Sequence, residues 1–126
     1  MFSSGATFIA RSYSAKIDHL KNTIIEGIKH KGFSFIEVMQ PCISFFNNFQ
    51  FYNEKLYEAK IGNQESKEEA LSKIKEWDYK NGDCKIPLGI FYKVRKPSYE
   101  EKLLSGLNLA KRDKEANIEK NLEFHT

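Results

Sequence analysis

Several absences narrow the reading of this chain before any motif does. No apolar stretch approaches the roughly 20 residues that a membrane helix needs, and Met1-Phe2-Ser3-Ser4-Gly5 has neither the charged start nor the apolar stretch of a secretion signal. A cytoplasmic location without a membrane partner is the resulting expectation. Two cysteines, Cys42 and Cys84, are too few for a disulfide scaffold and are expected to stay reduced. Only Arg11, Arg95 and Arg112 among the 20 basic residues are arginine, and the net charge is +3. Nucleic-acid readers usually carry a dense basic face with arginine at the base edges, so no nucleic-acid partner is expected. The seven glycines are scattered, with no Gly-x-Gly-x-x-Gly, P-loop or Gly-x-Ser-x-Gly. There is no His-Glu-x-x-His, no internal repeat and no low-complexity segment.

What remains is the composition of one globular domain: 126 residues, 40% hydrophobic and 29% charged. Residues 5–11 form a short apolar, β-prone run, read as a strand buried on both faces. Ser14 is a good N-cap for a helix in which Ile17, Leu20, Ile24, Ile25 and Ile28 recur on one face. Leu20, Ile24 and Ile28 are expected to pack on the sheet, and Gly32 suits the stop position. Phe33 to Met39 reads as a second strand, parallel to the first because a helix separates them. A helix over about 49–59 follows, then one from Ser66 to Trp77 with Ser66 and Glu69 in a capping-box relation. Asn81-Gly82-Asp83 is a turn. Residues 86–92 read as an edge strand, because Pro87 cannot donate to a ladder, and Ser98 to about Leu104 as a short helix. The domain is expected over 1–106, with a polar tail over 107–126. The fold class is α/β, with a partial doubly wound sheet of three parallel or mixed strands.

Few residues offer chemistry. His30 at a helix end reads as a cation favoured by the helix dipole, and His19 as solvent-facing or at a helix edge. Phe45, Phe46, Phe49, Phe51 and Tyr52 read as core or subunit contact rather than as base-stacking groups. The pairs Lys29/Lys31 and Lys93/Arg95/Lys96 read as solvated faces, and no acid/base carboxylate pair is evident. Cys42 follows Pro41 at the carboxyl end of a strand, the edge where parallel α/β sheets place ligands. Two readings of Cys42 stay open: a buried, inert thiol, or a metal or cluster ligand whose companions lie elsewhere, since Fe–S clusters commonly take four thiolates. Cys84 reads as inert.

Three stretches together resemble a known family. Gly5-Ala6-Thr7-Phe8-Ile9-Ala10-Arg11, His30-Lys31-Gly32-Phe33-Ser34-Phe35-Ile36-Glu37-Val38 leading to Pro41-Cys42, and Ile86-Pro87-Leu88-Gly89-Ile90-Phe91-Tyr92 with Lys96-Pro97-Ser98-Tyr99-Glu100 resemble the C-terminal part of the β subunit of 2-oxoacid:ferredoxin oxidoreductases. The resemblance implies the C-terminal segment of a thiamine-diphosphate-binding α/β fold. It also implies that the complete complex decarboxylates a 2-oxoacid, reduces ferredoxin through an iron–sulfur cluster and delivers the acyl group to coenzyme A. Thiamine diphosphate, magnesium and a 4Fe-4S cluster are the implied cofactors of the complete subunit, with Cys42 as one cluster ligand. The implied partners are the N-terminal portion of the β subunit, the α subunit and ferredoxin. The Cys-x-x-Cys and Gly-Asp-Gly motifs of the family's N-terminal portion are absent here, so this chain alone is expected to be inactive, with no complete cofactor site. The rival reading is a small α/β interaction or assembly domain without catalytic activity.

Overall fold

The computed structural model describes residues 1–45, 47–78, 80 and 83–103. The expected tail over 107–126, Phe46 and the Asn81-Gly82 turn lie outside the described residues. Strand β1 (Phe8–Tyr13) leads into helix α1 (Ile17–Lys29) and strand β2 (Ser34–Met39). Helix α2 (Phe49–Lys55) runs directly into strand β3 (Leu56–Glu58), followed by α3 (Lys67–Ile74), β4 (Ile86–Lys93) and α4 (Tyr99–Leu103).

The sheet has four strands in the order β2-β1-β4-β3. Pairing is parallel between β1 and β2 and between β3 and β4, and antiparallel between β1 and β4. The expected three strands become four because the helix read over 49–59 stops at Lys55. Leu56 turns extended, and Leu56–Glu58 pairs with Ile86–Leu88. This addition also moves β4 from the sheet edge, where Pro87 had placed it, to an interior position. Pro87 is accommodated because the β1–β4 pairing covers only Gly89 to Lys93, leaving Pro87 opposite Tyr57 of β3 alone.

β1 is buried along its whole length, as its apolar run predicts. Its alternate residues face two layers. Phe8 and Ser12 meet α1, through the ring contact with His30 and the bond to His19. Ile9 packs with Ala70 of α3 and Phe91, and Tyr13 with Met39 and Leu88.

Helix α1 forms where expected but is turned differently. It begins at Ile17 with Lys16 as N-cap, because Ser14 still follows the sheet, donating its N–H to Met39 O at 2.9 Å. Thr23 and Gly27 are buried on its inner side, while Ile17 is 73% exposed, Ile24 39% and Ile28 78%. The isoleucine face therefore does not cover this sheet. Small and polar groups fit the inner face instead. Ser12 Oγ bonds His19 Nδ1 at 2.8 Å, and Ser34 Oγ donates to Gly27 O at 2.8 Å. A Cβ added at Gly27 would lie 2.8 Å from Ile36 Cδ1, so this glycine sets how closely the helix approaches β2. Gly32, at φ +138°, turns the chain into β2 where a side chain would collide with Thr7 Oγ1.

Helix α3 starts as its capping box predicts, with Ser66 Oγ accepting the Glu69 N–H. The Glu69 carboxylate turns to the preceding loop instead, accepting from the N–H groups of Gly62 at 2.7 Å and Asn63 at 3.0 Å.

Candidate functional site

Parallel pairing of β1 and β2 places Tyr13 opposite Met39, so both strands finish at one edge of the sheet. Three residues further on, Cys42 is exposed, with its N–H donating to Asn48 Oδ1 at 3.1 Å. Cys42 thus lies past a strand's carboxyl end, as its sequence position implies, but it is exposed and not the buried thiol of the inert reading. Cys84 is half-buried near the start of β4. Among the described residues, no three His, Cys, Asp or Glu side chains gather closely enough to hold a metal ion. As a donor set this chain fits the supply of one accessible thiolate to a larger site.

Beneath this edge lies a buried cation that sequence reasoning missed. Arg11 stands opposite Glu37 in the parallel register, with Nε donating to Glu37 Oε2 at 2.7 Å. Its guanidinium carbon lies 5.1 Å from the Trp77 ring centroid and 5.5 Å from that of Phe91. Nη1 approaches Pro87 O at 3.5 Å. The signal available was an arginine ending an apolar strand, with a glutamate at the equivalent place in the next. Neighbouring Tyr13 packs against Met39 and Leu88, and its hydroxyl is buried with no hydrogen-bond partner among the described residues. Burial and the adjacent Tyr52 hold that phenol above its ordinary pKa, so it stays protonated. Phe45 is exposed, Phe49 and Phe51 are partly so, and Tyr52 packs on the Tyr13 cluster.

The opposite end of the sheet holds a cleft of about 820 Å³, between the end of α1, the loop at 61–65 and the end of β4. Lys29, Lys31, Lys93 and Arg95, read separately as solvated faces, line it together with His30 and Glu26. Lys93 Nζ donates to Glu26 Oε2 at 2.8 Å, and this bond and charge hold the Glu26 carboxyl below the usual range. His30 is not the helix-end cation expected. Burial and then the Lys93 charge lower its pKa, and Nε2 shares a 2.9 Å hydrogen bond with Thr7 Oγ1. His19 likewise is drawn inward, with its pKa lowered first by burial and raised in part by Glu58. The Ser12–His19 pair has the atoms of a nucleophile and its base, but Ser12 is fully buried beneath α1, so the bond serves to seat the helix.

The family model for the C-terminal part of the pyruvate ferredoxin oxidoreductase β subunit matches residues 42–106. The chain belongs to that family. The sequence is 36% identical to the β subunit of 2-oxoacid:ferredoxin oxidoreductase 1 from Aeropyrum pernix, over 79% of this chain and 35% of that protein. It is 38% identical to the corresponding β subunit from Sulfolobus sp, over 80% of this chain and 36% of that one. This member of the family therefore spans about a third of the length of the curated relatives it matches. A 2-oxoglutarate:ferredoxin oxidoreductase from Magnetococcus marinus, solved with 2-oxoglutarate, coenzyme A and succinyl-CoA bound, shares the fold. Its TM-score is 0.73 over 96% of this chain and 41% of the larger one, at 18% identity. No helix among the described residues is long and apolar enough to cross a membrane.

Proposed function

We propose that this chain supplies the C-terminal portion of the thiamine-diphosphate-binding β subunit of a 2-oxoacid:ferredoxin oxidoreductase. The completed complex would oxidatively decarboxylate a 2-oxoacid, pass its electrons to ferredoxin and leave the acyl group on coenzyme A. The observation that carries this reading is the match to β subunits over about four fifths of the chain. Thiamine diphosphate, when bound, acts as the electron sink for the decarboxylation, and an iron–sulfur cluster carries the electrons away. This chain's own part is narrower. Cys42 would give one thiolate to the cluster from the end of β2, while the Arg11–Glu37 pair ties β2 to β1 five residues earlier, at Glu37. The remaining ligands, the magnesium and diphosphate residues, and the contacts with the α subunit would come from the N-terminal two thirds of the family's β subunit.

The test is a fusion of this chain to the N-terminal portion of the Aeropyrum pernix relative, reconstituted anaerobically with iron and sulfide. Electron paramagnetic resonance of the reduced fusion should show a cluster that Cys42→Ser loses or impairs and Cys84→Ser retains. An unchanged signal in Cys42→Ser would return that thiol to an inert role. Failure of the fusion to fold would favour a separate interaction domain.

A further inference from the structure

Helix α1 shows two chemically opposite faces, and the apolar one has no partner among the described residues. Ile17, Ile24 and Ile28, seven and then four residues apart, share the exposed side, flanked by Ile25, while the sheet is met by His19, Thr23 and Gly27. Exposed isoleucines scattered singly need no explanation, but three aligned on one side of a single helix with a fourth beside them make an apolar patch of the kind that marks an interface. A second opening adjoins it. β2 is an edge strand, paired with β1 alone, and Phe33 before it and Val38 within it are also exposed. Parallel strands are normally covered on both faces and continued by neighbours, since an open edge offers unpaired N–H and C=O groups.

Relatives of this chain continue for about two thirds of their length outside the matched stretch. The larger structure of the same fold likewise has more than half of its chain beyond the superposed part. We propose that the isoleucine face of α1 and the open edge of β2 form one docking surface, occupied by the remaining portion of the family's β subunit. That portion is carried either on the same polypeptide or on another. It presents an apolar helix or loop layer to Ile17, Ile24 and Ile28, and a strand to β2. This inference rests on the subunit reading above and adds where the two portions meet.

The experiment mixes the 126-residue chain with the separately produced part of the Aeropyrum pernix β subunit that precedes its matched stretch. Association is followed by calorimetry and by size-exclusion chromatography with light scattering. The parent chain should form a one-to-one complex. The double variant Ile17→Glu, Ile28→Glu should bind about 30-fold more weakly or worse, as the loss of central interface anchors does. Both positions already face solvent, so the variant's circular dichroism and melting temperature should match the parent's. As a second readout, maleimide labelling of Ile28→Cys in a Cys42→Ser, Cys84→Ser background should slow at least about tenfold when the segment is added. Equal binding by parent and double variant would overturn the docking surface and leave the subunit reading standing. No binding by the parent would overturn both. Self-association of the parent, abolished by the double variant, would assign the face to a second copy and overturn the proposal.

Discussion

The ion pair beneath the Cys42 edge is asymmetric, which gives a prediction about its two halves. The Arg11 side chain is 5% exposed, whereas that of Glu37 is 35% exposed. In Arg11→Met the stem still packs against Trp77 and Phe91, and water reaches the released carboxylate. The losses are the charge-assisted hydrogen bond to Glu37, the long contact from Nη1 to Pro87 O and two ring contacts, offset by no longer burying a guanidinium, for a net cost of about 1 kcal/mol. Glu37→Gln keeps the shape but leaves the buried cation without its counter-charge, a change expected to cost about 3 kcal/mol. The less buried residue should therefore be the more damaging one to change.

Urea unfolding of the full chain measures this, followed by far-UV circular dichroism and by fluorescence of Trp77, the single tryptophan. A difference of about 2 kcal/mol separates the two midpoints by about 1 M urea for a domain of this size. Arg11→Met alters the surroundings of Trp77 directly, so dichroism decides the ranking, and coincident transitions support two-state analysis. An Arg11→Met midpoint equal to or below that of Glu37→Gln would refute the assignment of the desolvation cost to the guanidinium.

Stability should also fall with acid through the two inward-facing histidines. Both have folded-state pKa values below the ordinary 6.5. Between the folded and unfolded values the unfolded chain binds more protons, so this stability is complete above about 6.5 and lost as pH falls through the folded pKa values. Urea midpoints taken from pH 7.5 to about 5 should decline, less steeply in His19→Gln and His30→Gln, and a slope unaffected by either change would contradict the account. Gly27→Ala should destabilise by about 1 kcal/mol net, the clash with Ile36 outweighing the gain in helix propensity. A raised melting temperature in that variant would show that α1 does not depend on the close approach.

The main frame was legible because its signals are local. The apolar run over residues 5–11, the helical spacing from Ile17 and the β-prone run from Phe33 to Met39 each specify an element with little help from elsewhere, and they form Phe8–Tyr13, Ile17–Lys29 and Ser34–Met39. Ser66 and Glu69 likewise mark the start of α3 by their spacing alone. What was not legible depends on pairing between distant segments. Leu56–Glu58 is too short to announce a strand and becomes one only beside Ile86–Leu88. Pro87 looks like an edge residue until the end of the β1–β4 pairing removes any demand on its missing N–H. The orientation of α1 was misread for a related reason. Periodicity identifies an apolar stripe but does not say which surface will cover it, and here Ser12, Ser34 and Gly27 hold the opposite face on the sheet. The position of Cys42 past a strand was legible, while the surroundings of Arg11 and Tyr13 needed the register of β1 against its neighbours.

The inverted helix bears directly on function. A domain selected to fold by itself gains by turning Ile17, Ile24 and Ile28 inward, since each buried side chain contributes about 1.5 to 3 kcal/mol. This chain instead seats α1 through hydrogen bonds from Ser12 and Ser34 and the close approach at Gly27, interactions that fix position more than they add stability. Such an arrangement is advantageous when the apolar stripe has a second surface to cover. An apolar face with no partner among the described residues is a feature of a part shaped to its complement. It favours a subunit portion over an autonomous interaction domain, because a domain working alone would have reason to bury it.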